Sequence, residues 1–248
     1  MNLFVRYLTP FLFTLCLFLN VSHSEDSIII AESSFTAEEK KYLEEEEFVS
    51  ISDPLEPINR VFFVFNDKMY FWILRPVSKA YSFVFPEPLR IGFGNVIENI
   101  KMPVRAINSL LQLKLDGFVK EIGRFIINST MGIGGFGDPA KEVFGWAPSK
   151  EDLGQTFGRY GIGPGFYIVW PILGPSNIRD TIGKAGDSLL NPISYLDGEE
   201  ILATGTFEAV NKTSLRGIEY ETLKKSSLDP YISLRDSYVQ TRQAQIKE

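Results

Sequence analysis

Few residues of this chain have the types and spacing that catalysis requires. Gly132, Gly134 and Gly137 match the letters of a dinucleotide-binding loop, which needs a strand before it and a helix start after it to hold a pyrophosphate. The residues before this loop have a helical pattern, and Asp138-Pro139 interrupts the position where the next helix would run. We therefore predict a flexible turn or a close backbone approach here and no nucleotide site.

Hydrolytic chemistry has equally little support. A lipase serine lies in Gly-x-Ser-x-Gly and acts with a histidine, whereas "GPSNI" (174–178) lacks the second glycine. Adjacent carboxylates occur at 151–152 and 199–200, but neighbours in sequence point apart on a helix and are typical of a helix N-terminus. We predict no catalytic residue, no metal site and no cofactor.

The N-terminus has the features of a secretory signal peptide over residues 1–24. Arg6 precedes an apolar stretch (7–21), and small residues follow it. An uncleaved anchor helix is the alternative. Cleavage would remove the only cysteine and the only histidine of the chain, Cys16 and His23, and so exclude disulfides, Cys/His zinc sites and a Ser-His-Asp triad from the mature protein.

The acidic charge of the chain is concentrated in one segment. Residues 25–47 carry nine Asp and Glu against two Lys, whereas residues 48–248 carry 22 basic and 22 acidic residues. We interpret 25–51 as a solvated acidic linker, with a specific interaction tail as the alternative. The balanced remainder does not favour a nucleic-acid partner.

An uncharged segment, 160–178, lies between Arg159 and Arg179. It contains four glycines and three prolines, which together would cost a continuous helix about 13 kcal/mol. The segment is therefore predicted to be non-helical. The flanking arginines are candidate phosphate contacts because a guanidinium donates two parallel hydrogen bonds. The alternative is a salt bridge to a carboxylate such as Asp180 or Asp152.

The rest of the chain is predicted to be mainly α-helical. Helical patterns are found at 58–74, in three stretches between 87 and 131, at 151–160, at 175–190, and in two long helices over 198–228 and 229–248. A glycine-rich loop occupies 132–140, and 166–170 is the one predicted strand-like stretch.

The helix at 58–74 is apolar on nearly all sides, which is typical of a helix buried in protein or in contact with lipid. It is too short, and too charged at its centre, to cross a bilayer alone. Its aromatic residues Phe62, Phe63, Phe71 and Trp72 are predicted to dock on a membrane.

Five blocks of the sequence resemble the MlaA (VacJ) family. They are "DPLEPINRVFFVFND" (53–67), "LRPVSKAY" (74–81), "RFIINSTMGIGGFGDPA" (124–140), "EDLGQTFGRYGIGPGFYIVWPILGPSNIRD" (151–180) and "DPYISLRDSYVQ" (229–240). The resemblance implies a single ring-like helical domain with irregular Gly/Pro-rich segments over 52–242, followed by a short tail, 243–248.

The resemblance also implies a function. It suggests a non-enzymatic protein on the periplasmic side of the outer membrane that removes phospholipid from the outer leaflet and passes it to a periplasmic lipid-carrier protein. It further implies association with a trimeric porin. The lipid path or its gate would include residues of the two glycine segments: Gly132, Gly134, Gly135, Gly161, Gly163, Gly165, Tyr167 and Trp170. The glycines have an alternative role, which is to let helices pack closely.

Two questions stay open at this point. Family members are usually lipoproteins, but Leu15 and continuing apolar residues surround Cys16, so we predict that this cysteine is not acylated. The alternatives to lipid transport are a structural envelope-integrity protein associated with porins and a periplasmic lipid hydrolase. The second of these is disfavoured by the absence of histidine after residue 24.

Overall fold

A computed structural model describes residues 51–248. The predicted signal peptide, Cys16 and all of the predicted linker except Ile51 lie outside these residues. The elements are α1 (Glu56–Met69), a π-helical turn (Tyr70–Leu74), α2 (Arg75–Val84), α3 (Glu87–Ile100), α4 (Met102–Leu111), α5 (Leu115–Thr130), α6 (Pro139–Glu142), α7 (Leu153–Arg159), β1 (Tyr167–Trp170), β2 (Gly174–Asn177), α8 (Ile178–Asp187), a 3₁₀ turn (Pro192–Tyr195), α9 (Gly198–Ser226) and α10 (Pro230–Lys247).

The prediction of a mainly α-helical domain is confirmed. The predicted strand at 166–170 appears as β1, but the predicted helix over 175–190 is wrong at its start. Residues 175–177 belong to β2, which pairs antiparallel with β1 so that Tyr167 lies opposite Asn177. The helix begins only at Ile178 because the Asn177 side chain caps it, accepting a hydrogen bond from the backbone N–H of Asp180 at 2.7 Å.

The first helix continues through the π-helical turn into α2. In that turn the backbone N–H of Arg75 bonds to the carbonyl of Tyr70, five residues earlier. Pro76 follows immediately. A proline inside a helix lacks a donor and collides with the carbonyl four residues before it. The wider turn offers a way to pass the proline without ending the helix.

Contacts among the helices close a circuit. Helix α9 packs on α2 and α3, α3 contacts α4, α4 contacts α7, α7 packs on α10, and α10 returns to α9. The β-hairpin lies between α1 on one side and α8 and α10 on the other. This closed arrangement agrees with a ring-like domain. Among the helices of residues 51–248, none combines the length and apolar character needed to cross a membrane.

The buried side chains of this domain are mostly polar, whereas many of its exposed side chains are large and apolar. Within residues 51–248, few apolar side chains are buried, and the core cluster among them consists of Tyr167, Val169 and Tyr231. Asparagine, arginine, glutamine and carboxylate side chains make up most of the other buried positions, while large apolar side chains are exposed in far greater number than they are buried. An exposed apolar surface of this extent indicates a partner surface or a membrane.

Candidate functional site

Helix α5 shows how the surface becomes apolar. Leu115, Val119 and Ile126 are exposed on one side, at spacings of four and seven residues. The positions between them that face the protein are Glu121 and Arg124, and both are buried. The helix is therefore amphipathic in the reverse sense of a water-soluble protein, in which the apolar face points to the core.

The long helix α1–α2 repeats this arrangement. Its inner side is polar: Asn59 and Asn66 bond to the backbone of β1 and its turn, and Asp67 binds Lys224 of α9 through both carboxylate oxygens, at 2.6 and 2.7 Å. Its outer side carries exposed apolar residues, among them Ile58, Val61, Phe65, Trp72 and Ile73. The two outer helix faces form a candidate lipid-contact surface.

The four aromatic residues predicted to dock on a membrane do not share one environment. Phe62 and Phe63 are partly buried against the Tyr167 cluster, and the Phe63 ring lies edge-on to Tyr231 with a centroid distance of 5.8 Å. Phe71 lies beneath the ammonium group of Lys224, 4.5 Å from its ring centroid.

Only Trp72 of the four projects outward, with 73% of its surface exposed. The face that each side chain occupies could not be obtained from residue type. Exposed aliphatic neighbours such as Val61 and Ile73 were therefore missed, and no local sequence signal separates them from core residues.

Three turns carry an apolar side chain outward on a strained backbone. Leu113, Ile133 and Ile172 have φ of 60°, 55° and 68°, and their side chains are 79%, 85% and 76% exposed. A left-handed backbone conformation costs free energy for a branched residue, and exposure of the apolar side chain to water does not offset that cost. A lipid or protein neighbour would make these exposed tips favourable.

The first glycine segment contains two kinds of glycine. Gly132 has an ordinary φ and no room for a side chain, because a Cβ atom would lie 2.5 Å from the carbonyl oxygen of Asn128. Gly135 is limited in both ways: its φ is +89°, and a Cβ would lie 2.7 Å from Asn99. Gly134 has a φ of +68° and open space around it. Close packing therefore explains why Gly132 is a glycine, a positive φ explains Gly134, and both reasons apply to Gly135.

In the second segment, the glycines are required mainly for the backbone conformation, because three of the four have a positive φ. Gly161 has a φ of +83° in open space, and Gly165 has a φ of +72° in a place where a Cβ atom would lie 2.9 Å from Ile178. Gly163 has neither a positive φ nor a close neighbour. Farther on, Tyr167 is buried in the core cluster, and Trp170 is partly exposed while its Nε1–H donates to Thr181 Oγ1 at 3.0 Å. The structure does not bring the two glycine segments together as one element.

The two arginines that flank the uncharged segment differ. Arg159 is exposed at the end of α7. Arg179 is buried and donates to Asp180 at 2.9 Å and to the carbonyl of Ile162 at 3.3 Å. The salt-bridge alternative is thus confirmed for Arg179. Its partner Asp180 also binds Arg242 of α10 at 2.8 Å, a contact that no local sequence signal predicts.

Asp180 is the centre of a buried polar network. Its burial favours a raised pKa, but hydrogen bonds from Arg242, Tyr238 and Arg179 outweigh that effect and lower the pKa below its ordinary value. Arg242 also binds Asp152 at 2.7 and 2.8 Å. The network ties α7, α8 and α10 together.

Comparison with known proteins agrees with this architecture. The family model of the MlaA lipoprotein matches residues 51–245. The intermembrane phospholipid transport system lipoprotein MlaA of Escherichia coli K12 is 33% identical over 196 residues, which is 76% of each chain. An uncharacterised protein of Rickettsia bellii is 35% identical over 204 residues, 79% of this chain and 78% of the relative.

A solved structure is also similar. It was reported as the structural basis for maintenance of bacterial outer membrane lipid asymmetry, and it superposes with a TM-score of 0.71 at 31% identity. The match covers 79% of this chain and 99% of that one. From the family match over most of the chain and from these relatives, we conclude that the protein belongs to the MlaA lipoprotein family.

Proposed function

We propose that this protein is a non-enzymatic transporter that removes mislocalised phospholipid from the outer leaflet of the outer membrane and passes it to a periplasmic lipid carrier. The observation that carries the proposal is the reversed polarity of α1–α2 and α5, with apolar side chains outside and charged or amide side chains inside. Such a domain is stable where lipid tails surround it, because buried polar groups are then satisfied internally and apolar groups avoid water.

The same distribution suggests where lipid travels. A phospholipid has a polar headgroup and apolar chains, so its path needs polar groups within reach of an apolar surface. The closed circuit of helices supplies polar inner faces. We assign the control of access to the two glycine segments, 131–137 and 161–174, each acting at its own place in the fold, and the second of them includes the hairpin turn with Ile172. Positive φ at Gly134, Gly161 and Gly165 supports this, because such positions can absorb dihedral change.

The names of the relatives support phospholipid and the outer membrane as partners, whereas the porin and the lipid carrier are what the family resemblance implies. The E. coli and Shigella flexneri relatives are named as lipoproteins of an intermembrane phospholipid transport system. We assign this chain to the periplasmic side of the outer membrane, beside a trimeric porin, with a periplasmic lipid carrier as the recipient of its lipid.

The proposal is tested in a deletion strain by labelling surface-accessible phospholipid with an external phospholipase. Loss of the protein should raise outer-leaflet phospholipid and detergent sensitivity, and a plasmid copy should restore both. Detergent sensitivity with unchanged outer-leaflet phospholipid would instead favour a structural envelope protein associated with porins. Phospholipid hydrolysis by the purified protein would favour an enzyme.

Anchoring is tested separately by intact-mass measurement of the mature protein. We expect a chain that begins at Glu25 and carries no lipid, because Cys16 lies within a continuous apolar stretch. A diacylglyceryl mass on a chain that begins at Cys16 would show the opposite.

A further inference from the structure

A polar cleft lies among α3, α4 and α5, and it borders the first glycine segment through Asn99 and Asn128. Its interior measures about 70 Å³, counted as the space open to the centre of a water molecule. Arg105 and Arg124 bring two guanidinium groups to its wall, and Glu98 and Asp138 bring two carboxylates. Phe125 lines the cleft and is itself exposed on α5. The mouth of the cleft therefore borders the apolar outer surface.

Arg124, which lines this cleft, has one buried guanidinium donor that no internal acceptor satisfies. Arg124 binds Asp138 through Nη2 at 3.0 Å and the carbonyl of Trp146 through Nη1. Its Nε–H has no hydrogen-bond acceptor within residues 51–248, and the nearest carboxylate oxygen, on Glu121, lies 3.9 Å away. The side chain is only 7% exposed. A buried donor without an acceptor is destabilising unless a ligand or water completes it.

The second arginine has spare capacity as well. Arg105 donates through Nε to Glu121 at 2.9 Å and through Nη1 to the carboxylate and backbone carbonyl of Glu98. Its Nη2 makes no hydrogen bond in the described part of the chain, so it can donate to a further acceptor. The open Nη2 of Arg105 and the unpaired Nε of Arg124 are suited to the oxygens of a phosphodiester, and the buried Nε meets one only when its side chain turns toward the cleft.

The carboxylates restrict which phosphate compound fits. Glu98 and Asp138 line the cleft, and Glu121 lies behind Arg105. A ligand with net negative charge would face three carboxylates against two guanidinium groups. A ligand with both a phosphate and an ammonium group can place each beside the opposite charge. The side chain of Glu98 is half exposed, so it lies at the mouth, where an ammonium group would reach it.

We propose that this cleft binds the zwitterionic headgroup of a phospholipid, with the phosphodiester at Arg105 and Arg124 and the ammonium group at Glu98, and that it disfavours anionic headgroups. The inference rests on the proposed function for the presence of lipid, and it adds a headgroup preference. The exposed Phe125 and Ile126 beside the mouth supply the apolar surface that acyl chains would follow.

The test uses the full chain in a maltoside detergent, which contains no phosphate. Calorimetric titration compares glycerophosphoethanolamine, glycerophosphoglycerol and inorganic phosphate. We expect the zwitterion to bind about tenfold more tightly than either anion, the effect of one charge-assisted contact. Glu98→Gln should abolish this preference. Glu87→Gln is the matched control, since Glu87 is exposed at the start of the same helix, about 16 Å away, and it should leave the preference intact.

A second variant probes the unpaired Nε–H of Arg124. Arg124→Lys keeps a positive charge opposite Asp138 but removes the Nε–H, so all three probes should bind about tenfold more weakly. If Arg124→Lys does not fold, the comparison of Glu98→Gln with Glu87→Gln decides whether the cleft binds the headgroup as proposed. Equal affinity for the three probes, no binding of any probe, or a preference that survives Glu98→Gln would overturn the proposal.

The headgroup inference and the proposed function can fail independently. Restoration of outer-leaflet lipid asymmetry by a plasmid copy, together with no headgroup preference in the titration, would reject the cleft and leave the transport function standing. A headgroup preference in the titration, together with a deletion strain of unchanged outer-leaflet lipid, would reject the transport function.

Discussion

The attachment of the β-hairpin to α1 gives the sharpest stability prediction. Asn59 donates through Nδ2 to the carbonyl of Tyr167 at 3.1 Å and accepts the backbone N–H of Val169 at 2.9 Å. Asn66, seven residues later on the same helix, makes the same pair of bonds to Trp170 and Ile172. The two carboxamides thus hold the hairpin at its buried root and at its exposed tip.

The expected cost follows from burial. Asn59 is 1% exposed and its partners Tyr167 and Val169 are equally buried. Asn59→Ala therefore removes the hydrogen-bond partner of two backbone groups that water cannot reach. Each such group costs about 1–3 kcal/mol, and we expect a loss of about 2–5 kcal/mol. The bonds of Asn66 lie where water can replace them, so Asn66→Ala should cost about 0.5–1 kcal/mol.

The assay measures the thermal midpoint of unfolding of the full chain in detergent, with far-ultraviolet circular dichroism as the signal. For a domain of this size each kcal/mol changes the midpoint by about 2–4 °C. Asn59→Ala should therefore lower it by about 5–15 °C and Asn66→Ala by about 1–4 °C. Similar small changes for both variants would refute the reasoning, because they would mean that the root of the hairpin is not shielded from water.

Three further predictions separate packing from exposure and charge. Gly132→Ala should lower the thermal midpoint because its Cβ would meet a backbone oxygen at 2.5 Å, whereas Gly163→Ala, in open space, should leave it within about 0.5 kcal/mol of the wild type. Phe63→Ser should destabilise the domain by about 2–4 kcal/mol, since its ring packs on the core, while Trp72→Ser should keep the midpoint and reduce co-sedimentation with phospholipid vesicles. The pKa of Asp180 is lowered in the folded state, so its contribution to stability is full above its ordinary value of about 3.9 and is lost as the pH falls through the lower folded value. Asp180→Asn should therefore lower the midpoint at pH 7 and flatten its fall below about pH 4.

Local chemistry made much of the secondary structure predictable. The helix predicted at 151–160 appears as α7, where Asp152 caps the first turn by accepting from the backbone N–H of Gln155 at 2.9 Å. The strand at 166–170 was predictable from a short run of aromatic and β-branched residues. Such signals lie within a few residues of one another, so the chain displays them without its fold.

The second strand was not predictable in the same way. Gly174 and Pro175 are unfavourable in strands, and β2 exists only because β1 lies beside it. Pro175 is tolerated opposite Val169 because Val169 directs its backbone N–H to Asn59 on another element. The partner of Asp180, Arg242, is likewise remote in sequence.

The family resemblance and the uncharged, non-helical segment were available from the sequence alone, whereas the direction in which each helix faces was not. A period of 3.6 residues separates an apolar face from a polar one, but it carries no information about which face meets the protein. In α5 the tertiary structure turns Arg124 and Glu121 inward and leaves Val119 and Ile126 outside. The physical reason is that hydrogen bonds and ion pairs to neighbouring elements satisfy the inner groups, and only the folded chain brings those neighbours together.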